Sequence, residues 1–152
     1  MDEKQQPPTS AGSSPSQVQE ISPSLSIEWL LNRQIVLVTL KDMSRGTVNL
    51  WVDSVSPIMR DWPRSQSFRL IYNAADPRVA LTPYLRTKLA EFNQFSGGLE
   101  GRVALILAKS FVGQMTQLFL RTQRHPGIET RIFFSYDEAF AWVSANIETP
   151  TH

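Results

Sequence analysis

Few side chains in this sequence have the types and spacing that catalysis or metal binding requires. The chain has two histidines, His125 and His152, and no cysteine. His125 stands beside a proline at the predicted end of a helix, a position typical of surface or capping residues. Asp53, Asp61 and Asp76 have no spacing that pairs them for acid–base chemistry. We therefore predict no enzyme active site, no metal site and no cofactor.

Polar side chains follow the predicted strands at their carboxyl ends, which is where α/β folds usually bind ligands. Two of them, Thr82 and Ser110, also fit as helix N-caps. These carboxyl-end residues are the candidate partner-binding or ligand-binding site, and they comprise Asn73, Asp76, Arg78, Thr82, Lys109, Ser110 and Tyr136.

The glycine-rich segment SGGLEG, at 96–101, follows a predicted helix and precedes a predicted strand. A phosphate-binding loop needs the opposite order, with the strand first and the helix after it. The segment therefore predicts a helix C-cap and a turn.

Composition excludes several functional classes. The chain has 152 residues, 41% of them hydrophobic, and a formal net charge of +1. Nucleic-acid binding usually shows as clustered Lys and Arg on one face, so we expect none. No apolar run approaches the length of a membrane span. The absence of cysteine fits a cytoplasmic protein.

Strand candidates are short apolar runs rich in β-branched and aromatic residues. The first two, at 27–31 and 35–40, are separated by three polar residues, which predicts a hairpin. Three more lie at 68–73, 102–108 and 130–134. Their nearly continuous apolar character is typical of strands buried on both faces of a parallel sheet.

Four helices are predicted from apolar residues that recur at three- and four-residue steps. Thr82 and Pro83 predict the start of the second helix, and Ser135 with Glu138 predicts a capping box for the fourth. The four apolar stripes are Val48, Trp51, Val55, Ile58 and Trp62; Leu85, Leu89 and Phe92; Phe111, Met115, Leu118 and Phe119; and Ala139, Phe140, Val143 and Ile147.

Together these elements predict one α/β domain at residues 25–148. It contains a five-stranded, mostly parallel mixed sheet packed with about four helices, in the order ββαβαβαβα. Residues 1–24 are rich in Ser, Pro and Gln and predict a disordered tail. Residues 149–152 are assigned to a short C-terminal tail.

The last strand and helix carry a family resemblance. TRIFFSYDEAFAWV resembles the end of STAS-like, SpoIIAA-like domains, which commonly finish with an Arg-x-Phe strand, an acidic helix start and an Ala-Trp pair. Here these positions are Arg131, Phe133, Asp137, Glu138, Ala139, Ala141 and Trp142. The segment 68–92 is similar to the middle of such domains, and the resemblance covers roughly 25–147.

The resemblance implies a non-enzymatic role, such as anti-sigma-factor antagonism, another regulatory function, or binding of an apolar ligand as in CRAL-TRIO domains. In the antagonist branch a serine or threonine just after a central strand is phosphorylated. Here the corresponding loop, 73–77, reads NAADP and has no hydroxyl. Thr82 lies further on and fits as a helix cap, so we expect no phosphorylation switch.

Two functions therefore stay open. The first is a non-catalytic protein-interaction module with an unknown protein partner. The second is a binder of a small apolar molecule or lipid in a crevice between helices, lined by Trp51, Trp62, Phe92, Met115 and Phe119, although aromatic residues at helical spacing are also typical of core. Four tryptophans and eight phenylalanines are compatible with a homodimer.

Overall fold

The computed structural model describes residues 17–92, 97–110 and 127–146. The elements are β1 (Gln17–Ser22), β2 (Leu25–Leu30), β3 (Ile35–Leu40), α1 (Arg45–Asp61), β4 (Phe68–Ala74), α2 (Pro83–Phe92), β5 (Gly101–Leu107), β6 (Ile128–Phe133) and α3 (Tyr136–Ser144). The six strands form one sheet in chain order. The pairs β1–β2 and β2–β3 are antiparallel, and the pairs β3–β4, β4–β5 and β5–β6 are parallel. We call the edge where β3 to β6 begin the amino edge, and the opposite one the carboxyl edge.

The α/β class and the mixed sheet confirm the sequence prediction, but the described residues form six strands rather than five. The additional strand is β1, which lies in the segment that composition assigned to the tail. It pairs with β2 from Gln17, opposite Trp29, to Ser22, opposite Leu25. Strand β1 is held mainly by backbone hydrogen bonds, because Val18 stays 62% exposed and Ile21 is only partly buried against the core. Two separated apolar residues are too few to form the apolar run from which the other strands were predicted.

Three of the four predicted helices are described. Ser44 caps α1, and its hydroxyl accepts from the Thr47 amide. Ser135 caps α3 by accepting from the Glu138 amide, as predicted. The third predicted helix, with its apolar stripe from Phe111 to Phe119, lies outside the described residues.

The sheet separates two apolar layers. Helices α1 and α2 pack on one face, where Val38, Val48 and Leu70 are almost fully buried. Helix α3 packs on the other face, where Val143 and Ile71 are fully buried. Strand β3 is buried on both faces, in agreement with its uninterrupted apolar sequence.

The turn between β2 and β3 lies at the amino edge. Leu31, Asn32 and Arg33 all have positive φ, and the Gln34 amide donates to the Leu30 carbonyl at 3.0 Å. Asparagine tolerates this left-handed backbone, whereas leucine and arginine adopt it at a cost of about 1–2 kcal/mol each. The compact turn projects its side chains beside the C-terminal end of α1.

Candidate functional site

The carboxyl-edge residues predicted as a site make local contacts. The Asp76 carboxylate accepts from the Arg78 guanidinium at 2.9 and 3.0 Å. The Asn73 side-chain oxygen accepts weakly from the Ala75 amide at 3.4 Å. Thr82 caps α2 by accepting from the Leu85 amide at 3.0 Å. Each contact serves the adjacent backbone or an exposed ion pair.

The remaining carboxyl-edge residues behave in the same way. The Lys109 ammonium lies 5.7 Å from the centre of the Phe134 ring, and Ser110 is exposed. Tyr136 stacks on Phe140 at 5.8 Å, and partial burial raises its pKa. Within the described part of the chain, Asp76 with Arg78 is the one direct contact between members of the predicted set. These contacts do not test binding, so the carboxyl-edge site stays a prediction.

A polar cluster that the sequence analysis missed lies at the end of β3. The Asp42 carboxylate accepts from the Ser24 and Thr47 hydroxyls, each at 2.6 Å, and from the Ser44 amide at 3.0 Å. The hydrogen bond from Ser24, followed by those from Thr47 and Ser44, holds the pKa of Asp42 far below its usual range. The sequence signal that could have revealed this cluster is an aspartate, Asp42, two residues before the serine N-cap Ser44. The cluster joins the β1–β2 turn to the start of α1, which is a structural task.

The described part of the predicted apolar crevice is core. Trp51, Trp62 and Phe92 are at most 6% exposed. The Trp51 and Phe92 rings lie 4.5 Å apart, and the Trp51 indole N–H donates to the Tyr72 hydroxyl at 3.0 Å. Burial raises the pKa of Tyr72 above its normal range. Met115 and Phe119 lie outside the described residues.

An open groove of ≈ 1040 Å³ runs along the amino edge between the β2–β3 turn and the C-terminal end of α1. We call it the amino-edge groove. Its wall is apolar at Trp29, Pro57, Ile58, Trp62 and Pro63. The polar lining consists of Asn32, Arg33, Gln34, Asp61, Ser65, Gln66, Ser67, Arg69 and Asn146.

The wall of the amino-edge groove is built around two tryptophans. The Trp29 ring stacks on Trp62 at 6.0 Å with 18° between the planes. The Arg33 guanidinium lies 4.1 Å from the centre of the Trp29 ring. The Trp62 indole N–H is buried and has no hydrogen-bond acceptor among the described residues. Leaving such a donor unpaired costs about 1–3 kcal/mol.

Arg64 fixes the loop that carries Trp62. Its guanidinium donates to the carbonyls of Met59 and Trp62, each at 2.8 Å, at the C-terminal end of α1. It also donates to the Gly97 carbonyl at 3.0 and 3.2 Å. These bonds satisfy helix-end carbonyls and attach the groove wall to the loop before β5.

A second pocket of ≈ 600 Å³ continues the amino-edge groove, and the two share Ser67, Arg69 and Asn146. Arg69 lies opposite Arg102 on the neighbouring strand. Arg69 donates to the Val143 carbonyl and, at 3.0 Å, to that of Ala145, while Arg102 donates to the Trp142 carbonyl at 2.7 Å. Desolvation and the adjacent Arg102 charge lower the pKa of Arg69. The two arginines make this end of the groove cationic.

No cluster of His, Asp or Glu with metal-binding geometry occurs among residues 17–92, 97–110 and 127–146. In the same ranges, every helix is too short or too polar to span a bilayer. Comparisons with protein-family models, with curated proteins and with solved structures found no match for this chain. The STAS-like assignment therefore stays a prediction from the residues.

Sequence reasoning assigned Trp62 to an interior crevice and left Trp29 without a role. The stacked rings of Trp29 and Trp62 belong to residues 33 positions apart in the sequence. Their contact depends on the point along β2 at which α1 ends. The Trp62-Pro63 step after a helical stripe was an available signal for a fixed helix end. The Trp62-Pro63 dipeptide does not reveal which strand lies beside the C-terminal end of α1.

Proposed function

We propose that this protein is a non-catalytic, STAS-like regulatory module that binds a partner protein in the amino-edge groove. It works without the phosphorylation switch of the antagonist branch. The observation that carries the proposal is the half-buried Trp29, which is supported by the buried Trp62 ring and lies beside Arg33 along an open groove. Tryptophan and arginine are the residues most enriched at the energetic centres of protein interfaces.

The state of the titratable groups supports a binding role. Asp42 is held by three hydrogen-bond donors at the start of α1, and Asp76 is paired with Arg78 in solvent. Tyr72 is buried in a hydrogen bond with Trp51. An acid–base or nucleophilic mechanism needs such groups to converge on one reacting atom. The described ones are instead distributed among separate structural contacts.

The loop after β4 supports the absence of a phosphorylation switch. Residues 73–77 contain no hydroxyl, and the nearest serine or threonine hydroxyl, on Thr82, accepts from the Leu85 amide. A phosphate on Thr82 would have to displace or rebuild this N-cap. Regulation of partner binding is therefore expected to act elsewhere than at this loop.

Site-specific photo-crosslinking tests the proposal. A photoreactive amino acid replaces Gln66, an exposed residue of the groove, or Arg78 at the carboxyl edge. In a lysate of the source cells, we expect position 66 to give a discrete adduct with another protein. Position 78 is expected to give none.

The matched variant is Trp29→Leu, which keeps an apolar side chain but removes the aromatic stack. It should abolish the adduct at position 66, while its unfolding midpoint confirms that the chain still folds. An adduct that forms equally from position 78, or that persists with Trp29→Leu, would contradict binding in the groove.

A further inference from the structure

The N-terminal segment leaves the sheet at the mouth of the amino-edge groove. Gln17, the first residue of β1, is the register partner of Trp29. Since β1 runs antiparallel to β2, its first residue lies at the same edge as the β2–β3 turn. The backbone of Gln17 therefore lies beside the Trp29 end of the groove, and the N-terminal segment is attached to it there.

Residues 1–16 have the composition of a groove-binding segment. They contain Pro7, Pro8 and Pro15, with no aromatic or large aliphatic residue after Met1. Proline-bearing segments favour the polyproline II conformation, which makes no internal hydrogen bonds and keeps its carbonyls available. Such segments are commonly recognised by grooves that combine aromatic side chains with hydrogen-bond donors.

The amino-edge groove offers that combination. Trp29, Ile58 and Pro63 provide apolar surface against which proline rings can pack. The side-chain amides of Asn32, Gln34 and Gln66 provide donors for backbone carbonyls along the same groove.

The covalent attachment of the N-terminal segment at Gln17 keeps its prolines within reach of the amino-edge groove. Pro15 is two residues from Gln17 and so lies within about 7 Å of it along an extended chain. Pro7 is ten residues away, a reach of about 31 Å in polyproline II geometry. A short tether raises the effective concentration of the segment at the groove to roughly the millimolar range. At that concentration a dissociation constant in the millimolar range is enough for about half of the chains to hold the segment in the groove.

We propose that residues 1–16 bind in the amino-edge groove of their own chain and compete there with the partner protein. This inference rests on the proposed function, because the segment is expected to regulate the same groove that the partner occupies. The segment thereby supplies a control that the hydroxyl-free loop 73–77 does not. Displacing it costs the partner part of its binding free energy, so the affinity depends on the prolines.

Paramagnetic relaxation enhancement on the full chain tests this inference. Because the chain has no cysteine, Ser10→Cys provides a single attachment point for a nitroxide label. The four tryptophans give four indole N–H signals as probes. Trp29 and Trp62 report on the groove, and Trp51, which packs on Tyr72 from the buried side of α1, is the reference.

The control has Pro7, Pro8 and Pro15 all replaced by alanine in the same labelled chain. We expect the enhancement at Trp29 and Trp62 to fall by roughly half or more in this variant, because fewer chains hold the segment in the groove. The reference at Trp51 should change little. Equal enhancement in the two chains would overturn the proposal, since tethering at Gln17 alone would then explain the signal.

A mixing experiment separates binding within one chain from exchange between chains. Isotope-labelled protein without nitroxide is mixed with nitroxide-labelled protein without isotope. We expect no enhancement in the mixture, and enhancement at Trp29 and Trp62 would show binding to a second copy and overturn the intramolecular form. If the segment does not bind but the position 66 adduct still forms, the proposed function stands and this inference fails. If the segment binds but no partner adduct forms even after the three prolines are replaced, the segment occupies the groove, while the proposed function and the competition with a partner both fail.

Discussion

At the scale of the residue, Asp42 shows how one carboxylate organises a helix start. Its oxygens accept from hydroxyls on both sides, with Ser24 before β2 and Thr47 in the first turn of α1. A carboxylate close to a helix N-terminus is also favoured by the helix dipole. Both effects favour the charged form of Asp42 in the folded protein.

We predict that Asp42→Asn destabilises the protein by about 1–2 kcal/mol at pH 7, because an amide accepts these hydrogen bonds less strongly. The folded pKa lies below the ordinary value of 3.8. The stabilisation is therefore complete above the unfolded pKa and is lost as the pH falls toward the folded pKa. Urea unfolding from pH 7 down to pH 3 should show the difference between the two proteins shrinking in the acidic part of that range.

The matched control is Asp53→Asn, which removes the same charge from the exposed side of α1. It should change the unfolding free energy by no more than about 0.5 kcal/mol. If both variants lost the same stability, the effect would belong to net charge and not to the hydrogen bonds of Asp42.

At the scale of the element, two glycines let the parallel strands begin close together. The Phe68 amide donates to the Glu100 carbonyl at 2.7 Å, and the Gly101 amide donates to the Gly127 carbonyl at 2.8 Å. A Cβ added at Gly101 would lie 1.8 Å from the Phe68 carbonyl oxygen. The sequence predicted a turn for SGGLEG, but the need for glycine at its last position depends on the neighbouring strand.

Gly101→Ala is therefore expected to destabilise the protein by about 2 kcal/mol or more, because the obstacle is backbone that must shift. The matched control is Gly46→Ala in the first turn of α1, where an added Cβ meets nothing within 4 Å. This change should stabilise the protein by up to about 1 kcal/mol, since alanine favours helix. Thermal unfolding of the two variants checks both signs, and a loss of stability at Gly46 alone would contradict this account.

At the scale of the whole molecule, local signals account for most of the sheet. The strands β3 to β6 follow apolar runs that are readable in the sequence, and Thr82 and Ser135 are capping residues where the sequence placed them. Strand β1 could not be predicted in this way because Val18 and Ile21 are its only large apolar residues and form no apolar run. The candidate site predicted from the sequence lies at the carboxyl edge, and it stays a prediction beside the proposed amino-edge groove.

The amino-edge groove was not predictable for a related reason. Its tryptophans come from β2 and from the residue after α1, and nothing in the local sequence of either specifies the other. Burial pattern identifies Trp62 as apolar and inward-facing, which is correct. Whether its neighbour is another core residue or a groove wall depends on how far α1 extends along the sheet. The position of the α1 end relative to the β2–β3 turn is determined only when the helix packs on the sheet.

The same contrast between backbone pairing and burial predicts how stability is distributed over the sheet. Residues Ile35, Val36 and Val38 of β3 are fully buried, whereas Val18 of β1 is 62% exposed. Amide hydrogen exchange should therefore be slowest in β3 and β4 and fastest in β1, because an edge strand with little buried surface opens without global unfolding.

The same difference in burial predicts the effect of substitutions on the unfolding free energy. Val38→Thr should cost about 1–3 kcal/mol by burying a hydroxyl, and Val18→Thr less than about 0.5 kcal/mol. Exchange in β1 as slow as in β3 would mean that a further contact covers this edge strand, and the N-terminal segment attached to it would be the first residues to test.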